Sequence, residues 1–155
     1  MSDVTTTPIF TSSLVSTWEW ATRLLGAFPQ DILLLIARVS VASVFLKSGL
    51  TKIESWDVAV QLFEQEYMVP LLPPELAATI AATFELGAST LIILGLFTRL
   101  ATLPLLGMTF VIEVFVYPDA WVDHLMWATL LLFILTRGPG LFSLDTMVRR
   151  VFIGR

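Results

Sequence analysis

Cysteine is missing altogether from the 155 residues, and histidine occurs once. The first absence excludes a disulfide framework, cysteine-ligated zinc or iron–sulfur clusters and thiol chemistry within this chain, so any electron-transfer role needs a borrowed cofactor. A single histidine rules out a two-histidine metal or haem site inside one subunit, although a symmetric dimer would supply two. Charge is scarce as well: 14% of the residues are Asp, Glu, Lys or Arg, against about a quarter in a soluble domain. The net charge of −4 gives no footing for nucleic-acid binding. What fills the sequence instead is apolar. Hydrophobic residues make up 56% and the mean hydropathy is +0.83, which sets soluble enzyme folds aside and marks a membrane protein.

Four apolar runs are long enough, at about 1.5 Å per residue, to cross a hydrocarbon core of about 30 Å. They cover about residues 31–50, 75–97, 100–117 and 121–136. The links Thr98-Arg99 and Pro118-Asp119-Ala120 are so short that the spans they join must be antiparallel. The expected fold is therefore an all-α integral membrane protein, an antiparallel four-transmembrane-helix bundle over 31–137. Residues 1–30 form an N-terminal tail with an amphipathic helix, and 138–155 a basic C-terminal segment.

In the N-terminal part, Leu14, Trp18, Ala21, Leu25 and Phe28 share one helical face while Ser13, Ser16, Glu19 and Arg23 lie elsewhere, as in a helix resting on the membrane surface. Met1 to Phe10 holds Asp3, no Lys or Arg and no long apolar core, so it does not read as a signal peptide and is expected to be retained. Between the first two spans, Trp56, Val60, Phe63 and Tyr67 repeat the helical spacing over about 55–68. This predicts a short interfacial helix capped by Ser55 and stopped by Pro70, Pro73 and Pro74. Arg23, Arg99, Arg137, Arg149, Arg150 and Arg155 fall on the side of both termini, leaving Lys52 outside the hydrocarbon on the other side. By the positive-inside rule both termini are expected to be cytoplasmic, which in a bacterium makes the opposite face periplasmic.

Ionisable groups within the spans cost at least about 2–3 kcal/mol each on insertion scales, so each needs a partner, a water cavity or a route to the interface. Counting depth from the middle of each span predicts that Arg38 and Glu85 meet as an ion pair. Two roles stay open for that pair, a buried staple fixing helix rotation and a ligand or proton site. A second group gathers in the opposite half: Lys47, Glu113 and His124, with Tyr117 four residues after Glu113 and Trp121 three before His124. Glu113 and His124 are suited to moving protons as candidate catalytic groups. Lys47, Tyr117 and Trp121, with Arg38 and Glu85, are the candidates for holding a quinone head group or another flat apolar ligand. The competing reading makes Tyr117, Trp121 and Trp127 an interfacial aromatic belt and Lys47 a snorkelling cation. His124 and Met126, with Met68 and Met108 elsewhere, would suit copper only if folding gathered them, and no intrinsic metal or haem is expected. Ala77/Ala81 and Ala78/Ala82, extended by Gly87 and Ser89, favour close helix contact.

Three ordered blocks carry a family resemblance. Arg38-Val-Ser-Val-Ala-Ser-Val-Phe-Leu-Lys-Ser-Gly49-Leu-Thr-Lys52, then Glu85-Leu-Gly-Ala-Ser-Thr-Leu-Ile-Ile-Leu-Gly95-Leu-Phe-Thr-Arg99, then Arg137-Gly-Pro-Gly-Leu-Phe-Ser-Leu-Asp145 resemble the DoxX family over about Ile32 to Asp145. Ala42 stands where members usually carry glycine. The resemblance implies a small bacterial inner-membrane protein of four spans, with Arg38, Lys52, Glu85 and Arg99 as family-type positions. Founding members are associated with a thiosulfate:quinone oxidoreductase, and others with membrane complexes of thiol or oxidative stress. The Tyr117-Pro-Asp-Ala-Trp121 turn resembles a subgroup often encoded beside proteins for copper-binding peptides.

Three functions follow as expectations. The first is a quinone-linked membrane subunit of an oxidoreductase or stress-response complex, working with a redox partner protein. The second is a non-catalytic membrane anchor or assembly factor. The third is a small-molecule or copper-related transporter, which for one short chain with no visible inverted repeat would require a homo-oligomer.

Overall fold

The structure is a computed structural model that describes residues 9–154, with side chains from residue 15 on except that of residue 153. Ser13, Leu14, Asp3 and Arg155, invoked above, fall outside the described side chains. Helix α1 spans Ile9–Gly26 and belongs, with the residues to Gln30, to a compact unit of its own. Within it Arg23 pairs with Glu19 one turn away at 3.6 Å.

The second unit starts at Asp31. It holds α2 (Gln30–Glu54), α3 (Trp56–Leu62) running into a π-helical turn (Phe63–Tyr67), and α4 (Pro74–Leu94). There follow α5 (Thr98–Val111), which widens into a second π turn (Ile112–Val116), a 3-10 turn (Pro118–Ala120), α6 (Trp121–Arg137) and α7 (Leu144–Ile153). Among the described residues, four helical segments are long and apolar enough to cross a membrane: Gln30–Glu54, Pro74–Leu94, Thr98–Val116 and Pro118–Arg137. The all-α membrane bundle is thus the fold, with two adjustments. The link between the second and third spans is Gly95–Phe97, because Thr98 and Arg99 already lie in α5. Ser55 precedes α3 as expected, but its side chain makes no capping hydrogen bond.

The buried positions of α2 (Leu34, Ala37, Arg38, Val41, Ala42, Phe45 and Gly49) recur every three or four residues and face the other spans. Of these, Ala37, Val41, Ala42 and Phe45 build the core with Ala88, Ile92, Ala101, Leu105, Leu131 and Ile134. Outward faces carry Ile36, Leu103, Phe110, Leu125 and Leu132, all exposed, as helices solvated by lipid tails require. Exposed threonines such as Thr83, Thr90 and Thr129 bond back to the carbonyl four residues earlier, so they bring no orphan hydroxyl into lipid. The small residues Ala77 and Ala78 receive Phe63, with Trp56, Val60 and Tyr67 packed against them, so the face of α3 seen in the sequence is seated on α4. Gly87, by contrast, faces open space.

One end of the bundle is closed by a clasp centred on Arg38. This corrects the expected Arg38–Glu85 pair. The guanidinium donates from Nε to Ile92 O (2.9 Å), from Nη2 to Ile93 O (2.7 Å) and from Nη1 to Pro139 O (2.7 Å) and Phe142 O (2.8 Å). Its partners are thus main-chain carbonyls, two of them at the C-terminal end of α4, where helix geometry leaves acceptors unpaired and favours a cation. The reason lies in helix direction. Cα–Cβ bonds tilt toward a helix's own N-terminus. Arg38 therefore reaches toward the start of α2, whereas Glu85, on antiparallel α4, leans toward the end of α2. Counting depth by Cα alone placed the two side chains together; their directions separate them.

The same clasp fixes the α4–α5 turn. Gly95 adopts φ +70° with Arg38 Nη2 only 2.7 Å from where a Cβ would stand, so only glycine fits. Phe97 holds φ +47°, steadied by Asp145, whose carboxylate accepts from Phe97 N (2.8 Å), Thr98 N (3.0 Å) and Thr98 Oγ1 (2.9 Å). Asp145 thereby caps α5 from outside its own helix, and Asp31 accepts from Leu141 N at 2.8 Å. Asp145→Ala is expected to lower stability by about 1–2 kcal/mol, the size of a lost N-cap, with Asp145→Asn losing less. Unfolding midpoints in detergent check the order.

Candidate functional site

At the other end the helices part around a cavity of about 550 Å³, within the range of about 300–1,000 Å³ typical of small-molecule sites. Its walls are largely apolar, drawn from Val44 and Phe45 on α2, Ile80 and Phe84 on α4, and Met108 and Val111 on α5. Both π turns contribute, the first through Phe63 and Tyr67 and the second through Ile112 and Val116. Such turns spread a helix locally and are frequent at functional sites. Pro104 and Gly107 bring little bulk to their stretch of wall.

Few polar groups reach this space, and the central one is Glu85. It is 3% exposed and bound entirely through one oxygen. Lys52 Nζ donates to Oε1 at 2.8 Å and Ser48 Oγ donates to the same atom at 3.1 Å, while Lys52 also donates to Ser48 at 2.9 Å. Oε2 is buried with no hydrogen-bond partner among the described residues. An unmet acceptor in low dielectric is costly, by about 1–3 kcal/mol or more for a charged group, and here it belongs to a residue lining a cavity.

The second polar group is His124, 4% exposed. Its Nδ1 lies 2.6 Å from Glu113 Oε2, and its ring tilts against Trp127 at 5.0 Å between centroids. The imidazole lines the cavity, whereas the Glu113 side chain keeps 35% of its surface exposed. The third is Tyr117, whose hydroxyl donates to the Glu66 carboxylate and whose ring stands edge-on to Tyr67 at 5.7 Å. The Glu66 hydrogen bond, with partial burial, pushes the Tyr117 phenol well above its usual range, so it stays a protonated donor at any physiological pH.

The residues singled out from the sequence are thus distributed as follows. Glu113 and His124 are brought into direct contact, and Glu85, Tyr117 and His124 line one cavity. Lys47 does not join them: it is exposed on a shallower groove between α2 and α3. Trp121 is 57% exposed and outside the cavity wall. Arg38 belongs to the clasp. Of the methionines, Met108 shares the cavity with His124, while Met68 and Met126 are exposed. Lys52 and Ser48 are the residues that reading by depth passed over. Their four-residue spacing puts them on one face of α2, and Lys52, like every helical side chain, leans back toward its N-terminus and so into the bundle.

A family model described as DoxX matches residues 33–118, more than half of the chain. The inner membrane protein YphA of Escherichia coli (strain K12) is 43% identical over 72 residues, which cover 45% of this chain and 48% of that protein. An uncharacterized protein of Haemophilus influenzae is 29% identical over 135 residues, 79% of this chain and 87% of that one. The matched stretch therefore spans about half the length of the first relative and most of the second. No solved structure matches the chain.

Proposed function

The chain belongs to the DoxX family, and from that premise we propose that it is a quinone-linked subunit of an oxidoreductase or stress-response complex in a bacterial inner membrane, with both termini cytoplasmic. The location follows the name of the Escherichia coli relative and the arginine bias of one side. The observation that carries the reading is Glu85, a cavity-lining residue whose buried Oε2 has no hydrogen-bond partner among the described residues. A flat lipophilic ring fits such walls, and its hydroxyl would complete the carboxylate's hydrogen bonding.

A quinol bound there would release two electrons and two protons, and a quinone would take them up, the electrons being exchanged with a partner protein. The chain's own residues have separable tasks. Lys52 and Ser48 hold the carboxylate on one oxygen and leave the other without a partner, so that a bound ligand hydroxyl would supply its missing donor. As an acceptor with no proton to give, a carboxylate paired to Lys52 recognises a hydroxyl and not a carbonyl, so the reduced form is favoured. His124, joined to half-exposed Glu113, carries a proton between the cavity and the bundle surface. The clasp at Arg38 favours a second reading, a membrane anchor or assembly factor, because that family-type residue is wholly engaged in holding helices.

Gly107 separates the two. A Cβ there meets nothing within 4 Å, so Gly107→Trp starts without a clash at a position on the cavity wall, and its indole is expected to fill part of the cavity. Native mass spectrometry of the gently released complex is expected to show a quinone-sized adduct on the wild-type chain and none on Gly107→Trp, with assembly unchanged. An adduct-free wild-type complex that assembles normally would favour the anchor.

A further inference from the structure

At the clasp end, a cleft of about 690 Å³ opens between the start of α5, the end of α6 and α7. Four arginines line it: Arg99, Arg137, Arg149 and Arg150. All four are exposed. None takes part in an ion pair among the described residues, whose three pairs lie elsewhere. The nearest carboxylates are already engaged. Asp145 accepts three hydrogen bonds at the head of α5, and Asp31 accepts from Leu141 N. Arg99 reaches the Thr136 carbonyl only at 3.4 Å. Four guanidiniums with free donors against two carboxylates leave the cleft with a net positive charge and with cationic donors still unpaired.

Beside this charge the surface is apolar. Met147, Val148, Val151 and Phe152 on α7 are 48–81% exposed, and Leu141 and Phe142 are more than half exposed. A helix with arginines beside such a face rests at a membrane interface, with its apolar side in the acyl chains and its cations at headgroup level. The two features together call for a molecule that is anionic at one end and greasy at the other.

We propose that this cleft is a binding site for the phosphate headgroup of an anionic phospholipid, whose acyl chains cover the apolar face of α7. Planar guanidiniums bind phosphate oxygens two at a time, which suits them to this class of ligand. Basic pockets between spanning helices on the cytoplasmic side take such headgroups, and that is the side on which the arginine bias places this cleft. The site is separate from the Glu85 cavity and does not depend on its ligand.

The test uses the full chain in mild detergent, offered phosphatidylglycerol, phosphatidylcholine or inorganic phosphate and read by native mass spectrometry. Near a membrane surface each arginine contributes about fivefold in affinity. Phosphatidylglycerol is therefore expected to be retained at least tenfold over phosphatidylcholine. The triple variant Arg137→Gln/Arg149→Gln/Arg150→Gln should lose that preference, while Arg23→Gln, which removes a charge elsewhere, keeps it. The side chains of these three arginines make no hydrogen bonds with the described residues, so an unchanged melting midpoint is expected and would show that the fold survives. Equal retention of the two lipids by the wild type, or undiminished preference in the triple variant, would overturn the proposal. Inorganic phosphate binding as well as the lipid would also overturn it, by showing a free-phosphate site in which acyl chains play no part.

Discussion

Replacing Arg38 with alanine is expected to destabilise the bundle by at least about 3 kcal/mol, since a hydrogen bond from a charged donor is worth about 1.5–3 kcal/mol and this side chain makes four. The loss goes beyond the bonds themselves. Arg38 is 1% exposed, so the carbonyls of Ile92, Ile93, Pro139 and Phe142 would be left around a void that lipid cannot solvate. Arg38→Lys should rescue little, because one ammonium cannot span acceptors lying on both α4 and the α6–α7 loop. Arg99→Ala, which removes one long contact from an exposed residue, should stay within about 0.5 kcal/mol of the wild type. Unfolding midpoints of the purified variants in one detergent would show this order. A stable Arg38→Ala chain would mean that the three blocks of the family resemblance are not held together by this residue.

The second large effect falls on Glu85. In Glu85→Gln the side-chain oxygen can still accept from Lys52 and Ser48, but the position now held by Oε2 becomes an N–H donor. A ligand hydroxyl loses its acceptor and a ligand carbonyl gains a donor. Loss of one charge-assisted bond corresponds to about 10- to 150-fold in affinity, so quinol binding should fall by at least tenfold while quinone binding holds or rises. Lys52 loses its countercharge in this variant, and its melting midpoint should drop. Gly107→Trp changes neither Lys52 nor Glu85 and is expected to fill the same cavity, so the two variants together separate ligand recognition from stability.

Much of this was legible in the sequence, and the part that was not has a common cause. The spans appear as apolar runs, the face of α3 as a 3.6-residue repeat, and the meeting of Glu113 with His124 as two residues either side of a tight turn. Those inferences need only backbone rise and loop length. The partners of Arg38, Lys52 and Glu85 depend in addition on which way each side chain leans and how far it reaches, and helix direction reverses that lean between neighbouring spans. Lys47 shows the same limit from another side. It stands five residues before Lys52, which at about 100° per residue puts it about 140° away round the helix, so that Lys47 stays exposed while Lys52 turns in to Glu85. Carbonyl partners such as Pro139 O leave no trace in side-chain patterns, so nothing in the sequence of the loop after α6 announces that it forms half of the clasp. Asp145 could have been noticed: a family-type aspartate following Ser143 at the start of a helix is a capping signature, although the helix it caps most firmly is α5 and not its own.

The most direct test of the account is equilibrium binding of a short-chain quinol and its oxidised quinone to the wild-type chain, Glu85→Gln and Gly107→Trp in lipid nanodiscs, with empty discs subtracted for partition into lipid. The expected result is saturable binding by the wild type with the quinol preferred at least tenfold, that preference lost or inverted in Glu85→Gln, and no saturable binding by Gly107→Trp. Uptake by all three chains equal to that of empty discs would contradict the proposed role of the cavity.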